Sequence, residues 1–248
     1  MSNKLFLQKY TTKYPNYGVV PQKENFKIAV IGLPKSGNNW LHLLLKGIFS
    51  LETIDYMDKD ISYGIVNWHN KIETHLDRSD ISHAVYIMRD IRDIVVSYYH
   101  YSQTDFYRER VNPSSYYTLK KFYYEYFLSI LIYQYDWLNH AEKYSSCCIP
   151  IIKYEDLLID AYGEVDRLLK FWGIRHLVKD EAIEKAIYEN RFDKLHKEGA
   201  NTYGKLPPTH FRKGISGEYK TELVEEVLKD INKRFAAYME RWGYTIDD

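Results

Sequence analysis

The sequence has few cysteines and no long apolar run. Its two cysteines, Cys147 and Cys148, are adjacent, and neighbouring residues of a strand point to opposite faces, so a disulfide framework is excluded. No apolar run approaches the roughly 20 residues that span a bilayer, and the N-terminal sequence MSNKLFLQKYTTKYPNYG lacks the apolar core of a signal peptide. We therefore expect no membrane partner and a cytoplasmic location.

An excess of charge of one sign is missing as well. The 34 basic and 34 acidic residues cancel, and no long block of one charge occurs, which argues against a nucleic-acid partner. The cysteines lack the spacing of metal ligands, and no HExxH sequence is present. We therefore expect no metal, and any anion site must be local.

The chain does have enough apolar residues for a substantial core, since 45% of its 248 residues are hydrophobic. We expect one domain over 1–248 with a polar lead-in over 1–25. Strand-like and helix-like segments alternate, which predicts an α/β fold with a mainly parallel sheet and crossover helices. The predicted strands are Phe26–Gly32, Tyr63–His69, His83–Arg89 and Cys147–Leu157. The predicted helices are Asn38–Ser50, Asp93–Ser102, Tyr116–Lys143, Asp160–Trp172, Lys179–Asn190 and Lys220–Arg241, with a long loop over 196–219 before the last one.

The turn after the first strand, in IAVIGLPKSGNNWLHLLL (28–45), has the features of a phosphate site. A glycine-containing turn between a strand and a helix presents backbone N–H groups to an anion. Gly32 and Gly37 have the spacing of G-x-x-x-x-G-K-[ST], but Asn38 and Asn39 occupy the Lys and Ser/Thr places, and the cation is Lys35 within the loop. Because the Mg²⁺-binding hydroxyl is missing, the pattern favours a metal-free transfer over ATP or GTP hydrolysis.

Two further stretches could bind a second phosphate. In YIMRDIRDIVVSYYHY, Arg89 ends a strand and Ser97 lies eight residues later on the next helix. In HFRKGISGEYK, Arg212 and Lys213 lie beside glycines in a loop. The alternatives are that Arg89 pairs with Asp90 or Asp93 and that the second stretch is a solvated turn.

In this order, these stretches resemble the cytosolic-type sulfotransferases, which use 3′-phosphoadenosine 5′-phosphosulfate (PAPS) as donor. PKSGNNW is similar to that family's P-K-S-G-T-T-W loop, and RDIRDIVVSYYHY to its R-N-x-x-D-x-x-x-S-Y-Y-H-F segment. FRKGISGEYK is similar to its R-K-G-x-x-G-D-W-K loop, and KYEDL to its Y-E-D element. The resemblance covers roughly 26–243 and implies a P-loop-NTPase-like three-layer fold with a central, mainly parallel sheet.

The resemblance also implies roles for individual residues. The 5′-phosphosulfate would bind the loop of Lys35, Ser36, Gly37, Asn38 and Asn39, where Lys35 would neutralise the leaving oxygen. The adenosine would lie near Trp40 and Tyr154. The 3′-phosphate would be held by Arg89, Ser97 and Arg212, assisted by Phe211, Lys213 and Gly214.

An acceptor hydroxyl needs a general base, and histidine suits neutral pH. His75 in KIETHLDRSD matches the family's K-T-H-L-P histidine and is the predicted base, which makes His75, Lys35 and Ser97 the predicted catalytic residues. Glu73 stands where the family has lysine, and Lys71 could replace that cation. His69, His100 and Glu73 are the rival bases.

The leading hypothesis is transfer of a sulfuryl group from PAPS to a hydroxyl or amine of a small-molecule acceptor, as in natural-product sulfation, with release of 3′-phosphoadenosine 5′-phosphate (PAP). The alternatives are a Mg²⁺-dependent P-loop kinase or nucleotide hydrolase and a catalytically inactive nucleotide-binding protein. The sequence leaves a monomer or a homodimer open.

Overall fold

The computed structural model describes residues 26–51, 53, 63–68, 81–110, 118–134, 142, 149–202 and 204–246. Its central sheet contains four strands: Phe26–Ile31 (β1), Tyr63–Trp68 (β2), His83–Met88 (β3) and Ile151–Lys153 (β4). The strands are all parallel and lie in the order β2-β1-β3-β4. The chain passes from β1 to one side and then returns to the other, so a crevice opens at the carboxyl ends of β1 and β3.

Helices connect and cover these strands. Between β1 and β4 lie Asn38–Phe49 (α1), Ile91–Ser102 (α2), Asp105–Arg110 (α3), Leu119–Phe122 (α4) and a π-helix over Tyr123–Gln134. After β4 come Tyr154–Ile159 (α5), Ala161–Phe171 (α6), Asp180–Glu189 (α7), Phe192–Glu198 (α8), Tyr219–Glu222 (α9), Glu225–Arg234 (α10) and Ala236–Arg241 (α11). Short 3₁₀ turns occupy Arg175–Leu177 and Pro208–His210.

Two apolar clusters fill the spaces on either side of the sheet. Successive residues of a strand point to opposite faces, and accordingly Ile28 and Val30 pack with α1, α6 and α7, whereas Ala29 and Ile31 pack with α2 and the π-helix. The sheet is therefore buried on both faces, as parallel sheets require. This arrangement confirms the predicted α/β fold with a parallel sheet between helices.

Three predicted elements are organised differently in the structure. The strand predicted over 147–157 is limited to Ile151–Lys153, because Pro150 precedes it and helix α5 begins at Tyr154. The loop predicted over 196–219 contains the end of α8 and an antiparallel hairpin of Ala200–Thr202 (β5) and Gly204–Leu206 (β6). The helix predicted over 220–241 is divided into α9, α10 and α11.

Other predictions fall partly beyond the described residues. Cys147, Cys148 and, apart from residue 142, the end of the helix predicted over 116–143 lie outside them. No helix in the described part of the chain is long and apolar enough to cross a membrane. The single domain over 1–248 stays a prediction.

Candidate active site

The turn between β1 and α1 has a backbone shaped for an anion. Lys35 and Gly37 both have positive φ angles, of 72° and 99°, on either side of Ser36. Such alternation turns successive N–H groups toward one point. Helix α1 begins directly afterwards, at Asn38, with no acidic residue in its first turn. The loop therefore combines backbone donors with the positive end of a helix dipole.

Asn38 stabilises this turn from within. Oriented to satisfy both of its ends, its amide accepts from the Gly32 N–H at 3.1 Å and donates to the Leu33 carbonyl at 2.9 Å. A side chain at position 32 would overlap the Ile87 carbonyl and this amide, which explains the glycine. The Asn38 side chain thus stabilises the loop, and its contact with the phosphosulfate stays a prediction.

Lys35 is surrounded by cations and an aromatic ring. Its Nζ lies 4.4 Å from the centroid of the Tyr101 ring. Burial, followed by the charges of Arg89 and Arg212, lowers the pKa of Lys35 to about 7. The three positive charges repel one another, and an anion bound between them would offset this repulsion, so their convergence indicates an anion site.

Arg89, at the end of β3, is held in place by four groups. It donates to the carbonyls of Ile215 at 2.9 Å and Lys35 at 3.4 Å. Its guanidinium lies 4.4 Å from the Tyr154 ring centroid and 3.7 Å from the Asp93 carboxylate. Asp90 and Asp93 were the two alternative partners predicted for Arg89. Asp93 contacts Arg89, whereas Asp90 pairs with Arg92. Arg89 Nε is buried and has no hydrogen-bond partner among the described residues, which leaves a donor for a ligand.

The loop before α9 carries a second group of charges. Arg212 pairs with Glu218 and lies 3.5 Å from Glu222, and Lys213 lies 2.7 Å from Glu218. His100 Nε2 lies 2.6 Å from the Glu222 carboxylate. Although burial acts in the opposite direction, contacts with His100, Arg212 and Lys213 lower the pKa of Glu222. The cations of this loop are therefore balanced by carboxylates of the same segment.

One cavity of about 590 Å³ brings these elements together at the carboxyl ends of β1 and β3. Twelve of the predicted site residues line it: Lys35, Gly37, Asn38, Asn39, Trp40, Arg89, Ser97, Tyr154, Phe211, Arg212, Lys213 and Gly214. Ser36 does not line the cavity; its side chain is buried in the turn, and its hydroxyl has no partner among the described residues. The predicted base His75 and its neighbours Glu73, Lys71 and His69 lie outside the described residues.

Sequence reasoning did not identify several residues of this cavity. Tyr101, His210, Glu218 and Glu222 interact with the predicted residues, and all but Glu222 line the cavity. Glu218 could have been identified from the sequence, because it directly follows Gly217 in the RKGISGEYK stretch and precedes α9. No sequence pattern indicates a role for His210, because its contact with Asn39 joins residues that are 171 positions apart.

Within the described residues, no group of three or more His, Cys, Asp or Glu side chains could hold a metal ion. The cavity is lined by cationic and neutral donors, and of the two carboxylates near Arg212 it includes Glu218. Its chemistry is therefore suited to a polyanion.

Comparison with known proteins identifies this chemistry. The profile of the sulfotransferase domain matches residues 26–243. The chain belongs to the sulfotransferase family. Family membership makes it a transferase of sulfuryl groups, and it confirms the resemblance inferred from the four motifs. All the cavity-lining residues named above lie within the matched range.

Similar sulfotransferases occur in plants and animals. The chain is 25% identical to flavonol 4′-sulfotransferase of Flaveria chlorifolia over 87% of this chain and 81% of the relative. It is 22% identical to sulfotransferase 1E1 of Rattus norvegicus over 86% and 83% of the two chains.

Two solved structures share the fold. Mouse sulfotransferase SULT7A1 complexed with PAP has a TM-score of 0.69 and 20% identity, with 94% of this chain and 90% of that chain covered. Retinol dehydratase in complex with androsterone and PAP has a TM-score of 0.65 and 18% identity, with 94% and 86% covered.

Proposed function

We propose that this sulfotransferase uses PAPS as donor and transfers its sulfuryl group to a hydroxyl or amine of a small molecule, releasing PAP. The observation that carries this proposal is that two groups of donors suited to anions line one cavity. The Lys35 loop forms the first, and Arg89 with Arg212 forms the second. PAPS carries a 5′-phosphosulfate and a 3′-phosphate, so its charges match both positions. PAP is also the ligand named for mouse SULT7A1 and for retinol dehydratase.

The residues present fit this donor. Arg89 has a buried Nε that no described residue satisfies, and the turn at Lys35–Gly37 offers backbone N–H groups at the start of a helix. Bound PAPS supplies the activated sulfuryl group. We assign the 3′-phosphate to Arg89, Ser97 and Arg212, with Lys213 and Gly214 in the same loop. Because Glu218 and Glu222 now pair with these cations, binding has to rearrange that network.

Lys35 is proposed to stabilise the negative charge that develops at the 5′-phosphate as the sulfuryl group departs. Such charge stabilisation inside a cavity is a large contribution to catalysis. An anion nearby raises the pKa of a lysine, so Lys35 becomes protonated in the complex. Trp40 and Tyr154, whose ring centroids lie 6.0 Å apart, are assigned to the adenosine.

We place the general base at His75, on the strength of the K-T-H-L-P resemblance alone. The rival His100 is engaged with Glu222 at the end of the cavity that we assign to the 3′-phosphate. We therefore assign His100 to the binding network and leave proton removal from the acceptor to His75.

The acceptor is proposed to be a small molecule because similar enzymes of Flaveria chlorifolia and Flaveria bidentis are flavonol sulfotransferases. Cytosolic sulfotransferase 3 of Arabidopsis thaliana, which is 24% identical over 91% of this chain, supports a cytoplasmic location. Acceptor loops vary most within enzyme families.

Calorimetry with PAP tests the proposal. We expect PAP to bind without Mg²⁺ and more tightly than adenosine 5′-phosphate, which lacks the 3′-phosphate. Arg89→Ala should weaken PAP binding by about 1.5–3 kcal/mol, the usual contribution of hydrogen bonds to charged groups, and leave adenosine 5′-phosphate binding nearly unchanged. Arg234→Ala, which removes a surface pair with Asp230, is the matched control. Binding that requires Mg²⁺ and ignores the 3′-phosphate would support a P-loop kinase or hydrolase instead.

A further inference from the structure

The Lys35 ammonium lies over the face of an aromatic ring inside the cavity. Its Nζ atom is 4.4 Å from the centroid of the Tyr101 ring, and both residues line the cavity. Tyr101 belongs to helix α2, four residues after Ser97, so the two side chains lie on the same side of this helix. The contact therefore joins the proposed phosphosulfate loop to the helix that carries a predicted ligand of the 3′-phosphate.

The Tyr101 ring is an attractive neighbour for a cation in an otherwise unfavourable position. Burial and the charges of Arg89 and Arg212 disfavour the charged form of Lys35. Among the described residues, no carboxylate forms an ion pair with Lys35 to offset these effects. The negative face of an aromatic ring attracts a cation, most strongly where water is excluded. The ring therefore favours a charged Lys35 before any ligand binds.

Other aromatic side chains hold the Tyr101 ring in place. Its neighbours come from α2, α3 and the 3₁₀ turn Pro208–His210, and each packs edge-to-face against it. The ring centroids lie 5.9 Å away for Tyr98, 5.0 Å for Tyr107 and 5.2 Å for His210. A ring held from three sides cannot follow a moving lysine, so it determines where the ammonium lies.

The backbone of Lys35 is fixed as well. It has a positive φ of 72°, and its carbonyl accepts a hydrogen bond from Arg89 at 3.4 Å. A lysine side chain is long and flexible, and it tends to extend its charge into water. Here the ring retains the charge in the cavity. Because an ammonium has three N–H donors, it can stay over the ring and still donate to an anion.

We propose that Tyr101 is a positioning residue for Lys35: its ring holds the ammonium in the cavity, where it meets the 5′-phosphosulfate of the donor. This inference rests on the proposed function. Binding of the 5′ end of the donor then depends on the negative face of the ring as well as on the charge of the lysine. The phenol hydroxyl takes no part in this role.

Phenylalanines that carry one, two or three ring fluorines, placed at position 101, test this role. Fluorine withdraws negative charge from the ring face and hardly alters the shape of the ring. Tyr101→Phe should keep the PAP affinity within about twofold of the wild type. Added fluorines should then weaken PAP binding stepwise, by roughly three- to tenfold in total. Calorimetry with adenosine 3′-phosphate, which lacks the 5′-phosphate, should show no such trend.

The same series in a Lys35→Met background isolates the contact. Without the ammonium, fluorination should change the PAP affinity by less than about twofold. Tyr101→Leu, which removes the ring, should weaken PAP binding at least as much as full fluorination, and thermal unfolding checks that this variant folds. Tyr188→Leu is the matched control, because Tyr188 is an exposed tyrosine that contacts a cation, Arg191, at 4.4 Å and does not line the cavity. It should leave PAP binding unchanged.

The outcomes distinguish the two proposals. If wild-type protein does not bind PAP, the proposed function itself fails. If it binds PAP with an affinity that does not depend on fluorination, the positioning role is overturned while the proposed function stands. The positioning role is also overturned if fluorination has the same effect without Lys35, or weakens adenosine 3′-phosphate binding equally.

Discussion

At the scale of single residues, the charge state of Lys35 connects structure to donor binding. Burial and the neighbouring Arg89 and Arg212 lower the pKa of Lys35 to about 7, so the lysine is roughly half neutral at neutral pH in the absence of ligand. An anion favours the charged form. Donor binding above neutral pH must therefore be accompanied by proton uptake.

This coupling gives a prediction for the pH dependence of PAP affinity. The affinity should fall as pH rises from about 7 to 9, because a growing fraction of Lys35 has to be protonated first. Calorimetry at pH 8 in buffers of different ionisation enthalpy should detect the proton uptake. Lys35→Arg, which stays charged, is the control and should lose the pH dependence. Equal heats in all buffers at pH 8 would contradict the assignment.

The same pKa has a consequence for the unliganded protein. The pKa of Lys35 lies at about 7 in the folded state, against 10.5 for an ordinary lysine. Between these values the unfolded chain binds more protons than the folded chain, so the contribution of Lys35 to stability increases as pH rises.

At the scale of elements, the loop before α9 depends on two glycines with positive φ. Gly214 and Gly217 have φ angles of 65° and 82°. A methyl group on Gly214 would overlap the Phe192 ring, whereas nothing lies within 4 Å of the corresponding position at Gly217. The two glycines thus share a backbone conformation but differ in their surroundings.

Alanine at these two positions should have unequal effects. Gly217→Ala should cost only the strain of a positive φ, about 1–2 kcal/mol of unfolding free energy. Gly214→Ala should cost more, and it should also weaken PAP binding, because Phe192 lines the donor cavity and would have to move. Denaturant unfolding and PAP calorimetry on both variants check this. Equal losses of stability and affinity would show that the Phe192 contact has no influence.

The sequence predicted local elements better than long-range ones. The turn from β1 to α1 could be predicted because Gly32, Lys35 and Gly37 are close in sequence and their spacing is typical of a phosphate-binding loop. The shortness of β4 could not, because an apolar run from Cys147 to Leu157 does not reveal that a helix begins at Tyr154. The Asn39–His210 contact depends on how two distant segments meet in the fold, which no local pattern records.

At the scale of the whole molecule, the C-terminal segment is attached to helix α2 through Asp93. The two oxygens of its buried carboxylate accept from the backbone N–H groups of Gly217 at 2.7 Å and Tyr219 at 3.1 Å. Arg92 adds a contact with the Tyr219 ring and a hydrogen bond to the Thr245 carbonyl. These contacts complete a donor site whose parts come from opposite halves of the chain.

Asp93→Asn tests this attachment with little change of shape. An amide has only one acceptor atom, so one buried N–H group should lose its partner, at a cost of about 1–3 kcal/mol of unfolding free energy. Hydrogen exchange should increase over residues 211–219, and PAP affinity should decrease with it. Asp230→Asn, in a pair nearer the surface, is the control. Unchanged exchange over 211–219 would refute the role of Asp93.

The most direct test of the central claim is transfer of a labelled sulfuryl group from PAPS, with EDTA present, to a broad panel of phenols, alcohols and amines. The account predicts a labelled product and free PAP from the wild-type protein, and strongly reduced transfer from Lys35→Ala and Arg89→Ala. Tight PAPS binding with no label on any acceptor would contradict the account and support a nucleotide-binding protein without catalytic activity.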